Sequence, residues 1–299
     1  MSLHIFYHPL YSALTLPARH RFPLAKYQAL FERLGSLGYP LAEAAPATPE
    51  QIKRVHDAAY VEAALAGTLD AGAAIRQLGF PWSPLLIERT LRSVGATLAA
   101  SRNALEQGCG LQISGGYHHA HRDVGSGFCL FNDLVIAAQV CLDEGRCEQV
   151  LIVDLDVHQG DGSAALCQGR RDIITLSLHG EHNFPRHKPA SHMDFPLPSG
   201  MADDAYFTTL AEALNLALRL YAPDLILYQA GVDVHKDDEL GYLALSDEGV
   251  RQRDAMVFDC ALRHGLPIAA VPGGGYRRDW QQLIPLHMSL FEEAKKRYG

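Results

Sequence analysis

Apolar residues along the chain follow two rhythms. Short continuous apolar runs occupy residues 3–7, 111–114, 150–155, 172–178, 224–229 and 267–271, and these read as strands buried on both faces. The segments between them place apolar side chains three and four apart. Leu24, Tyr27, Leu30, Phe31 and Leu34 mark one helix over 24–37. The same period predicts helices over 58–66, 85–107, 132–142, 203–221, 246–264 and 288–297. Thr48-Pro-Glu-Gln51 supplies the hydroxyl, proline and glutamine of a further helix start. Residues 67–84 and 179–201 sustain neither rhythm and read as irregular.

Strands separated by helices need crossover connections, so the pattern predicts an α/β chain with a parallel sheet. No linker, low-complexity tract or internal repeat breaks it, and residues 1–299 read as a single domain. In such sheets ligand groups gather beyond the C-terminal ends of the strands. Four polar motifs occupy that kind of position: residues 115–119, 154–161, 229–237 and 273–276.

The second motif, Asp154-Leu-Asp-Val-His-Gln-Gly-Asp161, is central. Strand period puts Asp154, Asp156 and His158 on one side. Unpaired buried charge is expensive, and a divalent cation removes that cost. Carboxylate oxygen and imidazole nitrogen suit zinc, manganese or iron. A plain Asp/His cluster bonding loops at a strand end is the structural alternative. Asp233, after the 224–229 strand, completes a three-ligand set and leaves room for water and substrate.

The adjacent His118 and His119 follow Gly115-Gly116 at a strand end, where imidazoles suit proton transfer, and Asp154 and Asp161 are the carboxylates available to orient them. Gly273-Gly-Gly275 allows close approach to a metal or substrate, and the hydroxyl of Tyr276 is placed to donate to a developing oxyanion. A glycine turn with an anchoring tyrosine is the plainer reading. Phe128 and Phe184 read by default as core aromatics.

Composition changes the picture little. An apolar fraction of 48% and a charged fraction of 20% describe an ordinary soluble globule. The net charge of -8 and the absence of a long basic run argue against a nucleic-acid groove or an anionic membrane patch. The six cysteines form no CxxC pair and fit a reducing compartment. The first residues are not a secretory signal, no apolar stretch is long enough to span a bilayer, and the expected location is the cytoplasm.

Taken together, Gly115-Gly-Tyr-His-His-Ala120, Gly125-Ser-Gly-Phe-Cys-Leu-Phe-Asn-Asp133, Val153-Asp-Leu-Asp-Val-His-Gln-Gly-Asp-Gly162, Ala230-Gly-Val-Asp233 and Gly273-Gly-Gly-Tyr276 resemble the zinc-dependent histone deacetylase superfamily, including bacterial and class IV-like members. That resemblance implies the arginase/deacetylase fold: three layers, with a mostly parallel sheet of about eight strands. It implies zinc on Asp156, His158 and Asp233, His118 paired with Asp154, His119 paired with Asp161, and Tyr276 as the catalytic tyrosine. Phe128 and Phe184 become walls of an acyl-lysine channel, joined by Gly116 and Gly274. A structural potassium ion is implied near Asp154 and Ser177, with carbonyls of Asp156, His158 and Leu178.

The implied reaction is hydrolysis of an N-acetyl or other N-acyl amide. The implied partner is an acetylated lysine in a protein or peptide, or alternatively a small acetylated amine such as an acetylpolyamine. Nothing in the sequence identifies an interface between copies or a rim aspartate in 67–84 or 179–201. A binuclear manganese hydrolase of arginase type would need further bridging ligands. A silent acyl-lysine binding module would have no use for the full ligand set together with Tyr276.

Overall fold

A computed structural model describes residues 3–70, 72 and 77–299. Its centre is one sheet of eight strands: β1 (His4–Phe6), β2 (Leu41–Ala42), β3 (Cys109–Gln112), β4 (Val150–Asp154), β5 (Ile173–Gly180), β6 (Met193–Leu197), β7 (Leu225–Gln229) and β8 (Ile268–Val271). The spatial order is β2-β1-β3-β8-β7-β4-β5-β6. Every neighbouring pair runs parallel.

Alternate side chains of these strands enter two different cores, which is why the runs are continuously apolar. Leu151, Val153, Ile226 and Tyr228 face one core, with Phe258, Leu290 and Phe291 from helices α8 (Asp247–Arg263) and α9 (Leu283–Tyr298). Val150, Ile152, Leu225 and Leu227 face the other, with Val94, Leu98, Leu134 and Val135 from α4 (Pro84–Gln107) and α5 (Asp133–Asp143). The result is a three-layer α/β domain of the arginase/deacetylase type.

Other α-helices among the described residues include α1 (Lys26–Ser36), α2 (Pro49–Ile52), α3 (Ala58–Ala66), α6 (Asp161–Cys167) and α7 (Asp203–Leu220). Their ends are set locally. Thr48 and Gln51 form the capping box of α2, Ser83 accepts from Leu86 N–H at 3.1 Å ahead of α4, and Asn132 accepts from Val135 N–H at 3.1 Å ahead of α5.

Four elements depart from the sequence reading. β2, only two residues long, is too short to show either rhythm. β6 lies inside the segment read as irregular; Asp194 and Pro196 disguise it, and an edge strand tolerates the missing N–H of proline. The last helix begins at Leu283, five positions before the expected 288, because Pro285 sits within its first turn where no intrahelical donor is needed. The short α6 carries too little periodicity to be seen. The irregular segment 67–84 lies partly outside the described residues, at 71 and 73–76.

The strand order fixes where the chemistry goes. β3, β8, β7 and β4 are consecutive neighbours at the middle of the sheet, and the four polar motifs follow these four strands. All point the same way, so their C-terminal loops meet at one edge.

One buried histidine beside this edge makes stability depend on pH. His56 accepts from Asn132 N–H through Nε2 at 2.9 Å and donates through Nδ1 to the His121 carbonyl at 2.8 Å. Burial lowers its pKa to about 4, against the opposing pull of the His121 and Arg122 backbone. The unfolded chain therefore binds a proton at 6.5 that the folded chain refuses, and His56 stability is lost as pH falls from 6.5 towards 4, at up to about 1.4 kcal/mol per pH unit. Thermal melts at pH 7.5 and pH 5 should show a smaller acid-induced drop in Tm for His56→Gln than for wild type; equal drops would place the acid sensitivity elsewhere.

Candidate active site

Asp156, His158 and Asp233 converge just beyond β4 and β7. His158 Nδ1 lies 3.0 Å from Asp156 Oδ1 and 3.1 Å from Asp233 Oδ2. The three ligand atoms all lie within 4.8 Å of one another. Each carboxylate is held from behind. Asp156 Oδ2 accepts from Gln229 Nε2 at 2.8 Å and Gly274 N–H at 2.9 Å, while Asp233 Oδ1 accepts from Val157 N–H at 2.9 Å. The facing oxygens are left pointing at His158.

Two buried carboxylates beside one imidazole leave an excess of negative charge. Burial first, and then the neighbouring Asp156, pushes Asp233 up to about 7. Burial also opposes the charge on Asp156, but His118 and His158 together hold its pKa well below the usual range. The donor set of two oxygens and one nitrogen, short of positive charge, fits a divalent metal. Gly274 shapes the same spot, since a Cβ there would stand 2.1 Å from Asp233 Oδ2 and 2.6 Å from Asp156 Oδ2.

His118 and His119 lie beside this cluster with ring centroids 4.0 Å apart and planes tilted by 49°. His118 Nδ1 donates to Asp154 Oδ2 at 2.7 Å and His119 Nδ1 donates to Asp161 Oδ1 at 2.6 Å, the two pairings expected. Both Nε2 atoms are thereby left for the site. Burial works against a charge on His118, but Asp154 and then Asp156 outweigh it and raise the pKa to about 9. Burial and the neighbouring His118 lower that of His119 to about 4. Near neutrality one ring is cationic and the other is free to accept a proton.

The outer cavity, about 520 Å³, opens above these groups between Phe128 and Phe184, with His119, His158, Leu240, Tyr242 and Tyr276 also on its walls. Phe184 is 48% exposed and packs edge-on to His119 at 4.9 Å, so it is a rim residue and not the core aromatic that its default reading gave. The Tyr276 ring lies 6.0 Å from both His158 and Phe128. Burial, then Asp156 and Asp233, raises its pKa well above 10.0, so the phenol keeps its proton as a donor.

Residues 20–288 match the histone deacetylase domain. The chain belongs to the histone deacetylase family. It is 40% identical, over the full length of both chains, to an uncharacterised protein of Picosynechococcus sp.. It is 31% identical to a histone deacetylase-like amidohydrolase of Pseudomonas aeruginosa over 79% of this chain and 66% of that one. An acetylpolyamine amidohydrolase of Burkholderia pseudomallei is 32% identical over 53% of this chain and 48% of that protein. The chain thus spans about two thirds of the first of these two functionally named relatives and about half of the second.

Within this deacetylase-family site, Gly116 and Gly274 line a smaller inner cavity with Lys26, His118, Asp156 and Gly273, below the outer cavity that holds Phe128 and Phe184. Asp154 and Ser177 are partners across the β4–β5 ladder, and Ser177 Oγ bonds His179 Nδ1 at 2.9 Å. Several participants escaped sequence reading. His121 Nε2 donates to the second oxygen of Asp161 at 2.9 Å. Asp133 accepts from the N–H groups of Gly116 at 3.0 Å and Tyr117 at 2.7 Å, and so sets the strand-to-histidine turn. Lys26 Nζ donates to the Gly273 carbonyl at 3.0 Å from a helix far away in sequence. Asp133 was visible within its Phe-Asn-Asp motif; the other two carry no local signal.

The close approach at residue 274 yields a test. Gly274→Ala should weaken divalent-metal binding by about tenfold or more, as expected when the groups that orient a ligand are displaced. Zinc titration of the apoprotein against a competing chelator measures this, and unchanged affinity would show that the two carboxylates can move aside.

Proposed function

We propose that this chain is a zinc-dependent amidohydrolase that removes the acetyl group from acetylated lysine side chains in proteins or peptides. The observation that carries the reading is the convergence of Asp156, His158 and Asp233, with His158 on the wall of the aromatic-lined outer cavity beside Tyr276 and His119. Asp156, His158 and Asp233 would hold a zinc ion, which would supply Lewis acidity for the amide carbonyl and the attacking water. His119 Nε2 takes the water proton and then delivers a proton to the departing lysine amine, while Asp161 keeps the ring oriented. His118, cationic against Asp154, adds positive potential where negative charge develops. The Tyr276 hydroxyl donates to the same oxygen. Phe128 and Phe184 flank the aliphatic lysine stem and keep bulk water away.

The described residues on the outer cavity wall are neutral or basic, including Gln77, His182, Asn183 and Tyr242. None of the described residues lining this wall is a carboxylate that would receive the distal ammonium of an acetylpolyamine. A peptide needs none, which favours acetyl-lysine. On the same reading Asp154 and Ser177, with carbonyls of Asp156, His158 and Leu178, would hold a structural potassium ion; the pairing of Asp154 with Ser177 across β4–β5 supports it.

Tyr276→Phe should lower turnover of an acetyl-lysine peptide by roughly 10²-fold, the scale of one lost oxyanion donor, with zinc content per chain unchanged. Steady-state kinetics on metal-quantified protein, run beside an acetylpolyamine panel, measures both points. Full activity in the variant removes the tyrosine from the chemistry; faster turnover of the polyamines replaces the substrate class.

A further inference from the structure

Both polar groups of the Tyr276 backbone are held by one dipeptide of the cavity rim. Tyr276 N–H donates to Asp238 Oδ2 at 2.6 Å, and the Tyr276 carbonyl accepts from Glu239 N–H at 2.9 Å. The other oxygen of Asp238, Oδ1, accepts from Leu240 N–H at 2.9 Å and Gly241 N–H at 3.0 Å. Arg278 N–H closes the clamp on the far side by donating to Glu239 Oε1 at 2.7 Å.

The segment so fixed carries Leu240 and Tyr242, which share the outer cavity with Tyr276. Its opposite flank is tied down as well. Asn183 Nδ2 donates to the Leu240 carbonyl at 2.8 Å, and Asn183 Oδ1 accepts from Tyr242 N–H at 3.3 Å, right beside Phe184. Rim and tyrosine are therefore tied together, and the Asp238 carboxylate is the side chain that accepts bonds from both the tyrosine and the Leu240–Gly241 turn.

Building on the reading of Tyr276 as the oxyanion donor, we propose that Asp238 is the positioning residue that aims it, coupling the substrate-contacting rim at Leu240 and Tyr242 to the tyrosine backbone. The chemistry of the joint is demanding. Three N–H groups converge on two oxygens, so both must accept, and charge-assisted acceptance makes each bond short and directional. An amide of the same shape offers one acceptor and one donor. Asn at this position would turn an N–H towards an N–H on one side and release either the rim or the tyrosine. Displacement of a reacting group by about 1 Å is enough to cost up to 10²-fold in rate.

The test is a double-mutant cycle on metal-quantified protein with an acetyl-lysine peptide. Asp238→Asn should lower kcat by about tenfold or more, with KM within about threefold and zinc content unchanged. In a Tyr276→Phe background the same substitution should change kcat by less than about twofold, because nothing remains to be aimed. The ¹⁹F resonance of 3-fluorotyrosine incorporated in place of Tyr276 should broaden or shift in Asp238→Asn. Unchanged kcat in Asp238→Asn, or an equal loss in both backgrounds, would overturn the proposal while leaving Tyr276 in its role. Should Tyr276→Phe alone turn over normally, the underlying reading fails, and the single-variant arm shows it. Asp238→Glu keeps both acceptors and should lose less than Asp238→Asn; it carries the same comparison if the asparagine variant does not fold.

Discussion

The structure depends on keeping two carboxylates and an imidazole together out of water. Asp156 and Asp233 are completely enclosed, at 1% and 0% exposure. An apolar side chain in such a place would contribute about 1.5–3 kcal/mol of burial, whereas each uncompensated buried ion costs several kcal/mol. The surroundings supply what partial compensation protein groups can: Gln229, Gly274 and Val157 each donate to the outward-facing oxygens. The inward-facing oxygens and His158 remain for a cation. The glycine at 274 and the polar residue at 229 follow from that demand, not from the packing of the sheet.

Such a cluster cannot be assembled from one stretch of chain. His118 and Asp154 are separated by 36 positions, His158 and Asp233 by 75, and Gly274 and Asp156 by 118. The chain passes from β3 to β4 while leaving two places between them, carries β5 and β6 outwards, and then returns to fill the gap with β7 and β8. Four strand ends from distant sequence thereby become neighbours. Because the strands are buried on both faces, the loops start from a rigid frame, and the first few residues of each have little freedom to wander.

This division explains what could be read beforehand. The strands were legible because burial on both faces writes itself as an unbroken apolar run, and the ligands were legible because they follow those runs within a few positions. Asp156, His158, His119 and Asp161 belong to that class. What was hidden lies where a partner comes from elsewhere without a pattern of its own: His121 reaching Asp161, Lys26 reaching Gly273, and Asp238 reaching Tyr276. β6 was hidden for a different reason, since an edge strand needs only one apolar face and can carry Asp194 and Pro196. Phe184 shows the limit of hydrophobicity as a guide to burial, since its ring stands half exposed at the rim of a cavity.

The two adjacent histidines are chemically unlike because their carboxylates are shared differently. Asp154 bonds one imidazole, His118, and a second carboxylate, Asp156, lies 3.9 Å from the other nitrogen of that ring. Both act to keep His118 protonated. Asp161 divides itself between His119 and His121, and the cation on His118 stands 4.0 Å from the His119 ring. Two imidazolium rings at that distance repel one another in a low-dielectric site, so the proton settles on the one with more negative charge around it. The remaining neutral ring is the one that reaches the outer cavity, where His119 lines the wall and His118 does not. Electrostatics and access therefore single out the same residue: His119 is the neutral ring that faces the outer cavity, and His118 is the one that stays charged.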